Sequence, residues 1–333
     1  MEDAKDMMRE IFAGLEFSES QELVQWATEY LKNTPPTTIS KDKKLEKLRK
    51  KQHQKFENIA KDLKKQGVMV PSNEPEKLSW PKSGFDSDCT EMNTLDIDSF
   101  LYDEDDIEEM VEAKQISRSY CAKCGSRSVL PLNFISHSLS RDQIEFMFTK
   151  LQPATVSRVV DIGSRIGAVV YGSSIFSNGQ NATVGIEMNG ELNEITKQTI
   201  KKYNLKNVEI VENDLRNEAD VLKQAELVVM NNVFSFFLTK SDQENCWEFI
   251  KENLREGTIL LHHPEIEKAT DYLNLSFKIE DWLEEVGEIF DCKIDNWCFW
   301  VDTTVECVEF AGQNVEKYED ISTIKKYAVK KSN

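Results

Sequence analysis

The segment Val159-Val160-Asp161-Ile162-Gly163-Ser164-Arg165-Ile166-Gly167-Ala168 constrains the fold more than any other part of the chain. An apolar run meets an acid, then a glycine turn, then a helix-like stretch from Ile166. This is the pattern of a buried strand that stops abruptly beside a helix N-terminus. Glycine at such a bend removes the Cβ and lets main-chain N–H groups approach a ligand. A second acid, Glu187, closes the next apolar strand, Ala182-Thr183-Val184-Gly185-Ile186. Two strand ends of this kind predict a doubly wound sheet that holds a ribose-containing cofactor at the carboxyl ends of its strands.

From residue 156 onward strand and helix patterns alternate. Strands are expected at Arg158 to Ile162, Thr183 to Glu187, Val208 to Val211, Leu227 to Met230 and Thr258 to His262. Helices are expected at Ile166 to Phe176, Gly190 to Tyr203, Glu218 to Gln224, Ser241 to Leu254 and Ile279 to Val286. Two further strands are expected at Glu288 to Ile294 and Cys298 to Phe310. Units of this length predict an α/β, Rossmann-like parallel sheet covered on both faces, with a core over 156–315 and a C-terminal tail over 316–333.

The N-terminal part reads differently. Residues 1–66 are expected to be helical, with Pro35-Pro36 between a stretch over 8–32 and a lysine-dense run over 41–65. That run reads as a solvated amphipathic helix; a nuclear-import patch and a partner-binding helix are the alternatives. Residues 67–115 carry Pro71, Pro75, Pro81 and Gly84, then many acids, and are expected to be a disordered acidic linker. Residues 116–155 form a pre-core segment containing Cys121-x-x-Cys124 and a lid-like helix within Leu130 to Leu151, with Phe134 and His137 bordering the site. One CxxC with a distant His137 falls short of four zinc ligands, so no metal is expected.

The 333 residues carry a formal charge of −18. This argues against general nucleic-acid affinity, which needs basic surface, and suits a basic polypeptide partner. Seven scattered cysteines form no disulfide framework. No apolar stretch is long enough for a bilayer and no secretory signal is read, so cytosol or nucleus is expected.

The pattern Asp161-x-Gly163-x-x-x-Gly167 resembles the first motif of class I S-adenosylmethionine-dependent methyltransferases. Arg165 departs from the family's D-x-G-x-G-x-G, and it also excludes the G-x-G-x-x-G of dinucleotide folds. The resemblance extends down the chain. It implies that Asp161, Gly163, Ser164 and Gly167 form the cofactor bend, that Glu187 holds both ribose hydroxyls with Met188 beside it, and that Asp214 and Leu215 meet the adenine. After the fourth strand, Asn231-Asn232-Val233-Phe234-Ser235-Phe236 is similar to the Asn-Asn-Phe motif of the non-SET histone lysine methyltransferases. That likeness implies that Asn231 touches the cofactor and that Asn231, Asn232 and Phe234 face the acceptor channel. His262-His263-Pro264 ends the fifth strand at the same edge; it is either a base or a plain strand end. The implied activity is in-line methyl transfer to a nitrogen on a protein. A small-molecule acceptor and a non-catalytic adaptor with the same fold are the alternatives.

Overall fold

The structure is a computed structural model. It describes residues 20, 23–25, 36–69, 78–122, 128–286 and 323–331. The chain forms two compact units, 1–52 and 53–333. In the first, the described residues are helical. Helix α1, Pro36–Lys65, crosses the boundary, and its final turns belong to the second unit. The expected strands Glu288 to Ile294 and Cys298 to Phe310 lie outside the described residues, as do Cys124 and most of the stretch 8–32.

The second unit is built on a seven-stranded sheet. Before it come strand β1, Thr94–Asp96, helix α2, Glu104–Glu112, and strands β2, Ser119–Cys121, β3, Val129–Pro131, and β4, Asn133–Ile135. β2 and β3 pair antiparallel, while β1 and β4 pair in parallel. Helix α3, Arg141–Phe146, runs on as a wider turn, Met147–Leu151. Ser140 caps α3 by accepting from the Gln143 N–H, and the Gln143 side chain returns a bond to the cap. Only the second half of the expected Leu130 to Leu151 helix therefore forms; its first half is strand.

The alternating core then follows as β5 Arg158–Ile162, α4 Ala168–Phe176, β6 Ala182–Glu187, α5 Gly190–Tyr203, β7 Val208–Glu212, α6 Ala219–Gln224, β8 Leu227–Asn231, α7 Lys240–Asn253 and β9 Ile259–His263. Short helices α8, Ile266–Thr270, and α9, Ile279–Trp282, lead to β10, Leu283–Glu285, and the sheet is completed by β11, Lys325–Val329. The strand order is β10-β11-β9-β8-β5-β6-β7. β5 to β9 are mutually parallel; β11 runs antiparallel to both neighbours. This is the doubly wound, Rossmann-like α/β sheet expected from the alternation. Two boundaries change: the helix expected over Ile279 to Val286 ends at Trp282 in a strand, and the supposed tail 316–333 contains β11. Tyr327 and Val329 on β11 are buried in the core. A five-residue strand with two lysines gives little alternation to read, so only the open sheet edge next to β9 reveals its place.

Alternation along the strands divides the interior into two clusters. Val160, Ile162, Val228 and Met230 face α7 and α9, where Trp247 and Trp282 pack edge-on. Val159, Leu227 and Val229 face the other side with α3, α4 and the end of α1. On that side the described part of the acidic segment from residue 78 onward is folded. Leu95, Ile97, Phe100 and Leu101 are at most 3% exposed and share a core with Phe56, Ile59 and Leu63 of α1. Phe56 lies edge-on to Phe176 and 5.1 Å from Phe100. Arg141 locks the arrangement: its guanidinium donates to the carbonyls of Phe100 and Leu101 and pairs with Glu57 and Asp103. Composition predicts disorder here because like-charged acids are dense throughout; the segment folds because its apolar residues meet α4 together with the end of α1.

Burial of an apolar side chain is worth about 1.5–3 kcal/mol. Phe56, Ile59, Leu63, Leu95, Phe100 and Leu101 together therefore contribute on the order of 10 kcal/mol, comparable with the whole stability of a domain. A chain starting at residue 116 is expected to be insoluble or to bind a hydrophobic dye without fixed near-ultraviolet dichroism. A sharp, two-state melt from that shortened chain would refute this account of the core.

Candidate functional site

Strand register places the sequence-predicted residues on one edge. Ile162 of β5 pairs with Ile186 on one side and Met230 on the other. Gly163, Glu187 and Asn231, each one residue further on, therefore stand level, and Asn231 pairs in turn with His263. The windings run in opposite senses from β5 and β8, so this edge lies at the topological switch point, where ligands bind in such sheets.

The bend is built from backbone. Gly163 and Arg165 adopt left-handed conformations, with φ of 73° and 47°. The N–H groups of Gly163 and Ser164 both donate to the Ile186 carbonyl, at 2.9 and 3.1 Å. A Cβ on Gly163 would lie 2.0 Å from Cγ2 of Val233, so the loop after β8 rests directly on the bend. At Gly167 a Cβ would meet Thr196 of α5 at 2.4 Å and the Tyr171 ring at 3.0 Å, so the glycine also lets α4 and α5 pack closely.

Glu187 receives the Arg165 N–H on Oε2 at 3.0 Å and the Asn189 N–H on Oε1 at 2.8 Å. Each oxygen keeps a further lone pair. Beside it Met188 is 61% exposed, an apolar surface at a polar edge. Asp161 is buried, and its Oδ2 has no hydrogen-bond partner; Ser164 Oγ, also buried, has none either. Burial, and then the charge of nearby Glu187, push the Asp161 carboxyl up to about 8.

The guanidinium of Arg165 does not lie free at the bend. It is buried against Asp98, 3.5 Å away, with Met69 Sδ at 3.6 Å. Asp98 also accepts from Ser138 Oγ at 2.6 Å and from the N–H groups of Phe100 and Leu101. His137 is buried between the rings of Phe236 and Phe237, with centroids about 5 Å apart. Burial, helped by the charge of Arg165, lowers its pKa to about 3.

Three further expected site residues have partners of their own in the fold. Asp214 turns its carboxylate to its own neighbour Arg216, accepting from the N–H, Nε and Nη2; that pairing holds its pKa down, and Arg216 continues to Asp242. Leu215 is a core residue. Phe234 is 7% exposed and packs edge-on against Trp247. Short motifs locate a strand end correctly but do not say which way each side chain turns.

Asn231 and Asn232 point to different partners. Asn231 Oδ1 lies 2.8 Å from His263 Nδ1. Asn232, with φ 41°, donates its N–H to the His263 carbonyl and its Nδ2 to Asp86 at 2.7 Å. Asp86 also accepts from Ser235 Oγ at 2.8 Å. Around it, Ser79 N–H donates to the Phe236 carbonyl, Trp80 lies edge-on to Phe236, and Gly84 fits under the Tyr272 ring. The stretch 79–86 is thus a strap across the Asn-Asn loop. Sequence reasoning missed Asp86 and Asp98; the interleaving of Leu95, Ile97, Phe100 and Leu101 with acids was the available signal for the second.

No family model matches the chain, and no curated protein matches it. It is similar to solved structures. One is an RNA methyltransferase from Salinibacter ruber in complex with S-adenosyl-L-homocysteine, at 23% identity over 36% of this chain and 74% of that one, with a TM-score of 0.29. Another is precorrin-6y C5,15-methyltransferase from Geobacter metallireducens, at 13% identity over 58% and 89%, TM-score 0.36. A third is a SAM-dependent O-methyltransferase from Thermotoga maritima, at 13% identity over 60% and 68%, TM-score 0.38. These likenesses concern the fold; the chemistry of the site rests on its own side chains.

The raised Asp161 pKa fixes the sign of a pH effect. Between pH 4 and 8 the unfolded chain ionises this carboxyl while the folded chain keeps its proton, so stability falls as pH rises. A tenfold difference in proton affinity between the two states is worth about 1.4 kcal/mol. Asp161→Asn removes the titration, so its stability relative to wild type is expected to climb from pH 4 to pH 8 in urea melts. A constant offset across that range would mean Asp161 is ionised in the fold.

Proposed function

We propose that the protein is an S-adenosylmethionine-dependent methyltransferase whose acceptor is a nitrogen on a basic polypeptide. One observation carries the cofactor reading. Beside a glycine bend at the switch point, Asp161 Oδ2 and Ser164 Oγ are buried without partners, and a carboxylate with spare lone pairs ends the adjacent strand. Unpartnered buried polar atoms cost about 1–3 kcal/mol each unless a ligand or water meets them. This donor set fits the group. Glu187 would take the ribose hydroxyls, Met188 would cover a face of the adenine, and Asp161 with Ser164 would take the methionine end, where a cationic amine matches a carboxyl that is otherwise costly to ionise. When bound, the cofactor supplies a methyl group already activated on a sulfonium, so the residues around it have only to align the acceptor and exclude water.

The acceptor side is framed by Asn231, by the strap and by the rings around His137. Asp86, Asp88 and Glu91 lie in or next to that strap. Their sign, with the net charge of −18, favours a cationic acceptor. A catalytically silent adaptor is the second reading. It is supported by the strap, whose Asp86 already engages Asn232 and Ser235.

Calorimetry with S-adenosylmethionine tests the first point. Glu187→Ala is expected to weaken binding by roughly 2–4 kcal/mol, through loss of two charge-assisted hydrogen bonds; unchanged affinity would assign the ribose to another partner. Asn231→Ala is expected to slow tritiated methyl transfer into fractionated cell-extract protein more than it weakens cofactor binding. Cofactor binding with no label in any protein fraction would favour the adaptor.

A further inference from the structure

We propose that His263 takes the proton released by the methyl acceptor, and that Asn231 holds its imidazole in the tautomer this requires. The inference rests on the methyltransferase reading and deepens it: the acceptor must be a protonated amine or another X–H nucleophile that surrenders a proton at this edge.

The geometry assigns the roles. Asn231 and His263 are cross-strand partners on β8 and β9. The atom of Asn231 that faces Nδ1 is its amide oxygen, 2.8 Å away. An amide oxygen only accepts, so Nδ1 carries the hydrogen and Nε2 carries the lone pair. Among the described residues Nε2 has no hydrogen-bond partner, and His263 is only partly buried. His263 is half-buried at the strand end where Gly163, Glu187 and Asn231 stand level, with Nδ1 anchored and Nε2 left over for a ligand. Its neighbour His262 is arranged oppositely: it is 1% exposed, its Nδ1 is bound to the Pro264 carbonyl at 2.5 Å, and its ring packs on Trp247. Of the pair, only His263 meets a ligand side.

The surroundings keep the ring neutral. Burial lowers its pKa to about 4. The groups around it are His262 next in the chain, also lowered to about 4, Asn231 on β8, Asp86 reached through Asn232, and Lys325 of β11, whose register partner is His262 and whose ammonium turns to Glu285 at 3.3 Å. In the step itself the acceptor X–H bond breaks, its electron pair stays on X, and the proton passes to Nε2; the imidazolium then returns it to water. Asn231 Oδ1, with its second lone pair, can accept from the same acceptor group.

The test uses the full chain. Long-range proton–nitrogen spectra of histidine-labelled protein at pH 7 are expected to show His263 protonated on Nδ1 alone; a hydrogen on Nε2 would overturn the proposal without any assay. His263→Asn keeps an N–H where Nδ1 stood but has no second nitrogen. It is expected to bind S-adenosylmethionine within about threefold of wild type and to slow tritium transfer into cell-extract protein by about a hundredfold or more. Wild-type transfer by His263→Asn would reduce His263 to a structural support for Asn231 and sink the inference while leaving the methyltransferase reading intact. Failure of the wild-type protein to bind S-adenosylmethionine would remove both. Should His263→Asn not fold, the tautomer measurement still decides.

Discussion

Helix α4 is buried on every side, and the organisation of the second unit follows from that. All nine residues from Ala168 to Phe176 are buried. A crossover helix in a doubly wound sheet ordinarily shows one face to water and carries a polar stripe there. α4 has none: its polar residues are Ser173, which bonds Thr183 and Asn181, Ser174, which bonds the Lys206 carbonyl, and the Tyr171 phenol. An apolar outer face needs a third layer. The end of α1 and the stretch 95–102 supply it, and α3 approaches so closely that a Cβ on Gly172 would stand 2.2 Å from Ile144. The acidic segment is therefore part of the core by necessity of α4, whatever its composition suggests.

That third layer accounts for the residue in the glycine bend after β5 that is least expected there. Arg165 adopts a left-handed backbone, a conformation that favours glycine, and its side chain reaches Asp98. The bend keeps the backbone shape a glycine would give, while the guanidinium becomes the fastener between bend and cover. Removing one partner of a buried pair generally costs about 3–5 kcal/mol, so the bend and the layer over α4 are tied together energetically. Asp98 is well suited to the task because the turn it heads already donates two N–H groups to it, so its charge does not rely on Arg165 alone.

These contacts also show what a sequence reveals. Local rules read β5 to β9 and α5 nearly to the residue, because period, caps and glycine bends are local. They also place Gly163, Glu187, Asn231 and His263 at strand ends, which register then brings into one row. Side-chain choices made across the chain were not legible. Asp214 turning to Arg216, Phe234 turning to Trp247, and Asp86 reaching Asn232 146 residues away are outcomes of packing competition. The apolar run Ala168 to Phe176 did hold the clue to the third layer, since a helix with no polar face predicts that something covers it.

The row of groups at the sheet edge is electrostatically unbalanced by itself. Asp161 and Glu187 are acids on adjacent strands near one bend; burial and the second charge keep the first protonated near neutrality. His137 and His263, which as cations would offset them, are held neutral by burial, and Arg165 is committed to Asp98. A buried acid without a countercharge is ordinarily neutralised, and that is what the raised Asp161 pKa expresses. A ligand carrying positive charge at the methionine end alters the balance: it favours the ionised form of Asp161 and meets the unpartnered Oδ2 with a donor. Under the proposed reading, cofactor affinity draws on relief of a cost already present in the folded chain, and the site's selectivity for a cationic group follows from what its own residues leave unsatisfied.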